Sequence, residues 1–366
     1  MSRATLRGAR RVVIKIGSRL LRDDLEGRVA MLAAESAELR RRDKEVVIVT
    51  SGAIALGVGG LRLAARPTEL AGLQAAASVG QVRLMHVYQK AFSETQQTIG
   101  QVLLTHDDVR DRARYLAARQ TFGELLRLGA VPVVNENDTV SADEIKFGDN
   151  DQLAALVTSI TSADLLVILT DVDGLYDGDP ARGASLVAEV RDIEAARAVS
   201  GGSVSGIGTG GMRSKVEAAA IAGRFGVPTV VAPGRADRPV SRILDGEDLG
   251  TVFWPRVERL ASRKQWIAFA LRPKGRVIVD AGARVALERQ GKSLLPIGVR
   301  AVEGSFSAGE LVEVVDDQGR VFARGLCALE AGELLRVKGL RADAVPRTLG
   351  YPSPELVIHC DDLVIL

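Results

Sequence analysis

The chain has 366 residues, 46% of them apolar and 26% charged. That is enough to bury a full core, and at roughly 150 residues per domain it suggests about two domains. Its 48 basic and 46 acidic side chains are interspersed and leave a formal charge of +2, which speaks against nucleic-acid binding through a basic block. No uninterrupted apolar stretch approaches the roughly 18 residues of a membrane span, and Lys15 interrupts any leader-like segment, so a cytoplasmic location is expected.

In chain order, apolar β-branched runs alternate with helical patterns. RVVIKI predicts a strand over 11–16, a helix follows around 27–41, and VVIVT gives a strand over 46–50. A long helical pattern covers about 69–93. Next come IGQVLLT at 99–105, a helix over about 112–128, AVPVVN at 130–135, a helix over about 151–161 and LLVILT at 165–170. A helix from about Met212 to Arg224 stops at Gly226, and VPTVVA and GTVFW (250–254) supply the last strands. Runs apolar on both faces belong in a parallel sheet between helices, so the expected fold is α/β, with a mostly parallel central sheet sandwiched by helices.

That domain is expected to span residues 1–255, followed by a connection over 256–274. From 275 to 366 the texture changes to short strands and turns, which predicts a small β-barrel or sandwich with a hairpin at DDQG. Cys327 and Cys360 both lie in this part; two are too few for a disulfide framework, and they read as reduced packing residues.

Two familiar patterns fail on context. Gly206, Gly208 and Gly211 match G-x-G-x-x-G, but a serine-rich loop precedes them in place of a strand and no acidic residue follows at the ribose position. Gly291, Lys292 and Ser293 lack the earlier glycine of a phosphate loop and read as a surface turn.

A stronger signal lies in the loops after the predicted strands, where open α/β sheets bind ligands. Only nine of the basic residues are lysines, so a lysine in an apolar or glycine-rich segment is informative. Lys15 stands in an apolar strand before Gly17 and Ser18, and must find either an anion or a sheet-edge carboxylate. Ser51 and Gly52 form a strand-to-helix turn able to hold a carboxylate or phosphate, although an ordinary N-cap has the same look. In GTGGMRSK, the glycines precede a helix with Lys215 in its first turn, where the helix dipole disfavours a cation unless an anion lies between them.

The long polar loop from Asn135 to Asn150 gathers Asn135, Asn137, Asp138, Asp149, Asn150 and Asp151, and Asp171 and Asp173 follow a strand. These groups can receive an α-amino group, bind magnesium through water, or hold lysines in place. His86, His106 and His359 read as packing or surface residues, with His359 in the final strand. Phosphoryl transfer to a carboxylate needs no general base, because a free carboxylate is already ionised at neutral pH.

The ordered set IKIGS, VTSGAIALG, NEND with EIKFGDND, LTDVDGLY and GTGGMRSK resembles the amino acid kinase family over nearly the whole chain, and the tail from about 275 resembles a PUA domain. NEND with GDND and the PUA-like tail are most similar to the branch that phosphorylates glutamate. The resemblance implies ATP-dependent formation of glutamyl 5-phosphate, the first step toward proline, with magnesium, a homo-oligomeric assembly, inhibition by proline and possible coupling to the next pathway enzyme. It implies that Lys15 and Lys215 contact ATP phosphates, with Gly17 and Ser18 alongside, and that Thr170 and Asp171 contact the nucleotide. Thr209, Gly210, Gly211, Met212, Arg213, Ser214 and Lys215 would cover it, and Ser214 stands where the family commonly has threonine. Ser51, Gly52, Asp138 and Asn150 would bind glutamate, and Asp151 would orient the lysines. Alternatives are an acceptor such as aspartate, acetylglutamate or a nucleotide, or an RNA-binding or regulatory role for the tail, whose sequence shows no concentrated basic and aromatic surface.

Overall fold

The computed structural model describes residues 2–140, 149–200, 211–255 and 273–366. The chain forms two compact units, residues 1–259 and 260–366. In the first, the described strands are β1 (Arg11–Ile16), β2 (Glu45–Val49), β3 (Ile99–Leu104), β4 (Val131–Glu136), β5 (Leu165–Thr170), β6 (Glu189–Val190), β7 (Thr229–Pro233) and β8 (Thr251–Phe253). They form one sheet in the order β3-β4-β2-β1-β5-β7-β8-β6. Every pairing is parallel except β7 with β8. The chain builds outward on one side of β1 through β2, β3 and β4, then crosses to the other side with β5. The carboxyl ends of β1, β2 and β5 therefore flank a topological switch, the place where such sheets form their binding crevice.

The strands are apolar because helices cover both faces. Val12, Ile14 and Ile16 on β1 pack in one core with Leu32 and Leu39 of the helix Leu25–Arg41 and with Tyr88 and Phe92 of the helix Leu70–Glu94. Side chains alternate along a strand, so Val13 and Lys15 share the opposite face of β1.

The long helix lies unusually close to the helix Ala53–Gly60. A Cβ placed on Gly80 would sit 1.7 Å from the carbonyl oxygen of Ala53, and one on Gly57 would sit 1.7 Å from that of Ala76. No side chain fits either gap, so these two glycines set the crossing that carries Gln81 and Tyr88 to the ends of β2 and β4.

Among the described residues, the second unit has a five-stranded sheet of β9 (Gly275–Val279), β10 (Val299–Gly304), β11 (Leu311–Val315), β12 (Val321–Leu326) and β13 (Leu363–Ile365), in the order β10-β9-β11-β12-β13. The strands β11 and β12 form the antiparallel hairpin expected at DDQG, with Gly319 at φ 79° and Asp316 accepting from the backbone N–H of Gln318 and Arg320 at 3.0 and 2.8 Å. The helices Ala281–Gln290 and Ala331–Val337, not foreseen in the sequence, bury Leu287, Leu334 and Val337 against Val277 and Val314.

Two readings in this unit change or sharpen. His359 is exposed and caps the short turn Cys360–Asp362 ahead of β13, so it is outside the final strand. Gly291, at φ 59°, ends a helix, and Ser293 accepts the N–H of Cys360, which gives the turn a structural role. Cys327 is buried and Cys360 half-buried, both as free thiols, and burial pushes the Cys327 thiol up to about 11.

Candidate active site

Lys15, next to last on β1, lies opposite Val49 of β2 and Ile168 of β5. Its ammonium sits 2.6 Å from Asp151 Oδ1, and the Lys215 ammonium sits 3.2 Å from Asp151 Oδ2. Asp151 is completely buried, and both lysines are 5% exposed. Asp151 belongs to the first turn of the helix Asp149–Thr161, where a carboxylate suits the positive end of the dipole. Lys215 belongs to the first turn of the helix Met212–Arg224, where a cation is disfavoured, and Asp151 compensates for that placement.

Ser214 Oγ lies 2.6 Å from Asp151 Oδ2 and 2.9 Å from the carbonyl oxygen of Gly211, so its one proton serves one of the two acceptors. Burial alone would raise the Asp151 carboxyl, but the ammoniums of Lys15 and Lys215 and the Ser214 hydroxyl outweigh it and hold the pKa at about 2. Burial lowers the pKa of Lys215 in spite of the neighbouring carboxylate. The cluster thus holds two cations and one anion. A further anion arriving there gains a charge-assisted contact in a site already emptied of bulk water.

Around the cluster, backbone and hydroxyl groups face the same sheet edge. The Gly17 N–H donates to Leu169 O at 3.0 Å, and a Cβ on Gly17 would lie 3.3 Å from that oxygen, so the turn after β1 runs close over the end of β5. Ser18 beyond it is exposed. Thr170 is buried at the end of β5, and its hydroxyl donates to Asp171 Oδ1 at 3.1 Å. Asp171 Oδ2 accepts from Arg19 at 3.1 Å. Partial burial would raise the Asp171 carboxyl, but Arg19, the backbone and Thr170 hold it below the ordinary range.

On the other side of β1, Ser51 donates to Ile16 O at 3.3 Å, and Gly52, at φ 100°, turns the chain into the helix Ala53–Gly60. Asn150 donates from Nδ2 to Thr50 O at 2.7 Å and to Asn135 Oδ1 at 2.9 Å, and Asn135 Nδ2 donates to Gln81 Oε1 at 2.8 Å. Tyr88, fully buried, donates to the Thr50 hydroxyl at 2.9 Å.

The structure therefore brings Lys15, Asp151, Ser214 and Lys215 into direct contact and sets Gly17, Ser51, Asn150, Thr170 and Asp171 on adjoining strand ends. Gly211 caps the helix that carries Ser214 and Lys215, with Met212 half-buried and Arg213 exposed. Asp138, half-buried in the turn after β4, interacts electrostatically with Arg66. Thr209, Gly210 and Glu144 lie outside the described residues. The sequence reading missed Arg19 and Gln81; Arg19 carries a faint signal as the residue following the Gly17-Ser18 turn, and Gln81, inside a long helix, carries none. His106 Nδ1 is 3.6 Å from a Glu136 carboxylate and His86 is exposed, in keeping with packing and surface positions.

Asp151 is held by two ammoniums and Asp171 by Arg19, so these carboxylates are already balanced by protein cations. Among the described residues, the group that places three metal-ligating atoms within 4.8 Å of one another is His359, Cys360 and Asp361, in the second unit. A divalent ion at this sheet edge would therefore be carried on ligand phosphate oxygens and water, with these carboxylates outside its direct coordination. No described helix is long and apolar enough to cross a membrane.

Residues 10–233 match the model of the amino acid kinase family, and residues 275–349 match that of the PUA domain. The chain is 48% identical to a glutamate 5-kinase of Myxococcus xanthus, covering 100% of this chain and 98% of that protein. It is 48% identical to one of Geobacter metallireducens over the full length of both, and 46% identical to one of Stutzerimonas stutzeri over 98% of each.

Proposed function

The chain belongs to the amino acid kinase family, and from that premise we propose that it transfers the γ-phosphoryl group of ATP to the side-chain carboxylate of L-glutamate, as a glutamate 5-kinase. The observation that carries this reading is the buried cluster of Lys15, Asp151 and Lys215, which combines an excess positive charge with the carboxyl ends of β1 and β5. Full-length similarity to glutamate 5-kinases supports the choice of acceptor.

In the reaction the glutamate carboxylate is the nucleophile. It is ionised at neutral pH, so no proton has to be removed, and the chain supplies alignment and charge stabilisation. Lys15 and Lys215 contact the phosphates and stabilise the charge that builds on the transferring group. Asp151 keeps the two ammoniums apart and aimed, so that they need not reorganise during the reaction. Gly17 and Ser18 bring backbone N–H groups toward the phosphates. Thr170 and Asp171 position the nucleotide, and the segment from Thr209 to Lys215 covers it. Ser51, Gly52, Asp138 and Asn150 hold the amino acid. Magnesium, bound on the ATP phosphates, would add charge neutralisation there.

The same reading includes feedback by proline at a site overlapping that of glutamate in the loop 135–150, a homo-oligomeric assembly and a cytoplasmic location. Glu144→Ala is expected to weaken proline inhibition while leaving ATP affinity nearly unchanged, and a purified protein that proline never inhibits removes this part. The central test is a coupled ADP-release assay with glutamate, aspartate and acetylglutamate as acceptors. Glutamate is expected to give the highest kcat/KM, and preference for another acceptor overturns the reading.

A further inference from the structure

The amides beside the cluster carry a direction that can be traced atom by atom. Thr50 O is a backbone carbonyl and can only accept, so the Asn150 group facing it at 2.7 Å is the NH2. The same NH2 faces Asn135 at 2.9 Å, which makes the facing Asn135 atom its oxygen. The Asn135 NH2 then points at Gln81, 2.8 Å away, and requires the Gln81 oxygen there. One fixed carbonyl thus sets the orientation of three amides in series.

The series ends with two buried atoms that have no hydrogen-bond partner, Asn150 Oδ1 and Gln81 Nε2. One is an acceptor and the other a donor. Leaving either unmet is unfavourable, and native structures keep few such groups outside sites where a ligand or water completes them.

We propose that Gln81 is a specificity residue of the amino-acid site, its Nε2 donating to the α-carboxylate of the substrate while Asn150 Oδ1 accepts from the α-ammonium. The proposal rests on the reading that an amino acid with a side-chain carboxylate is the acceptor. The reacting carboxylate belongs at the ammoniums held by Asp151, the residue next to Asn150. From Asn150 the amides lead away from that cluster, through Asn135 on β4 to Gln81 on the helix Leu70–Glu94. The strands β1 and β4 stand two places apart in the sheet, roughly 10 Å. Side chains reaching in from both sides and an extended five-carbon diacid cover that distance, which leaves the zwitterionic end for Asn150 and Gln81. A donor and an acceptor at the two ends of one amide series suit a carboxylate and an ammonium on one carbon, and they leave a polar atom unmet when either group is missing.

The decisive variant is Gln81→Glu. A glutamate oxygen still accepts from Asn135, so the structural contact survives, but the donor is replaced by an anion facing the substrate carboxylate. In the full-length protein, KM for glutamate is expected to rise about 10- to 100-fold, the scale of a lost hydrogen bond to a charged group, with KM for ATP within about twofold. Gln81→Met, which removes both the donor and the Asn135 contact, is expected to raise KM for glutamate by a smaller factor. Normal KM for glutamate in Gln81→Glu overturns the proposal even if Gln81→Met is impaired, because only the structural contact then matters. The wild-type protein in the same assay separates the two levels. Wild-type turnover with glutamate combined with an unaffected Gln81→Glu overturns this proposal alone, and no wild-type turnover with any amino acid overturns the parent reading and this one together.

Discussion

Lys15 and Lys215 grip opposite oxygens of the Asp151 carboxylate, at 2.6 and 3.2 Å, although they come from the first strand of the sheet and from a helix that starts beyond its sixth. This arrangement makes the two lysines unequal to surface cations. They are preset, dry and held apart by an anion that sits at the start of its own helix. Lys215→Ala is expected to lower kcat at least about a hundredfold, the scale of removing one preorganised electrostatic group. A folded variant with near-normal kcat contradicts the assignment.

Asp151 also ties stability to acid pH. Its folded pKa, about 2, lies below the unfolded value near 4. The folded carboxyl therefore binds protons less readily than the unfolded one, and its contribution is complete above about pH 4 and lost as the pH falls through 2. The difference corresponds to roughly 2 kcal/mol. Urea unfolding between pH 2 and 5 is expected to show this dependence in the wild type and lack it in Asp151→Asn. That variant, which leaves two buried ammoniums facing each other, is expected to be less stable by about 3 kcal/mol at neutral pH.

Glu35 acts in the opposite sense. It is buried, and one of its oxygens accepts from the backbone N–H of Val240 and Ser241 at 2.9 and 3.0 Å, at the start of the helix Pro239–Leu244. Burial raises its pKa to about 7 in spite of those bonds, with Glu38 adding to the rise. The folded state holds this proton more tightly than the unfolded chain, so its contribution is complete below about pH 4.5 and declines as the pH rises to 7 and above. Thermal unfolding from pH 4.5 to 8.5 is expected to show a falling Tm for the wild type relative to Glu35→Gln, with a total span of up to roughly 3 kcal/mol. Parallel Tm curves for the two proteins would remove Glu35 as the source.

Asn150 is expected to act on one substrate and not the other. Its side chain joins Thr50 to Asn135 on the side of β1 away from Thr170 and Asp171. Asn150→Ala is expected to raise KM for glutamate far more than KM for ATP. Equal changes in both constants, measured by varying each substrate at saturation of the other, count against the assignment.

The strands were legible because burial on both faces writes itself as an unbroken apolar run, as in RVVIKI and LLVILT. β6 has two residues, Glu189 and Val190, too short for any period to show, and among the described residues it joins the sheet through β8 alone. The helices of the second unit escaped notice because Ala281–Gln290 and Ala331–Val337 present only a few apolar side chains to the core between short strands. In the site, Lys15, Asp151 and Lys215 stood out as charges in apolar or glycine-rich surroundings. Their sharing of one carboxylate depends on which strand neighbours which, and that is a property of topology. Gln81 left no mark at all. A glutamine inside a long helix looks like a solvated position, and only the glycine crossing at Gly57 and Gly80 and the bond from Asn135 reveal what it faces.

The two units each bury a core of their own, which bears on what the second contributes. In the first, Val12, Ile14, Leu32, Tyr88, Phe92 and Val230 belong to one buried cluster, and in the second Val277, Leu287, Val314 and Leu334 belong to another. Every residue assigned to phosphate or amino acid lies before residue 216, within the first unit. A chain ending at Arg259 is therefore expected to fold, since a compact unit with its own apolar core carries the stability it needs. Its activity at saturating glutamate is expected to stay within about tenfold of the full chain, a barrier change of roughly 1.4 kcal/mol or less. An altered response to proline or a changed assembly state is compatible with that expectation, because neither enters the rate of phosphoryl transfer at saturation. A truncated protein that unfolds cooperatively and binds ATP yet fails to turn over refutes it, and would mean that the second unit completes the active site.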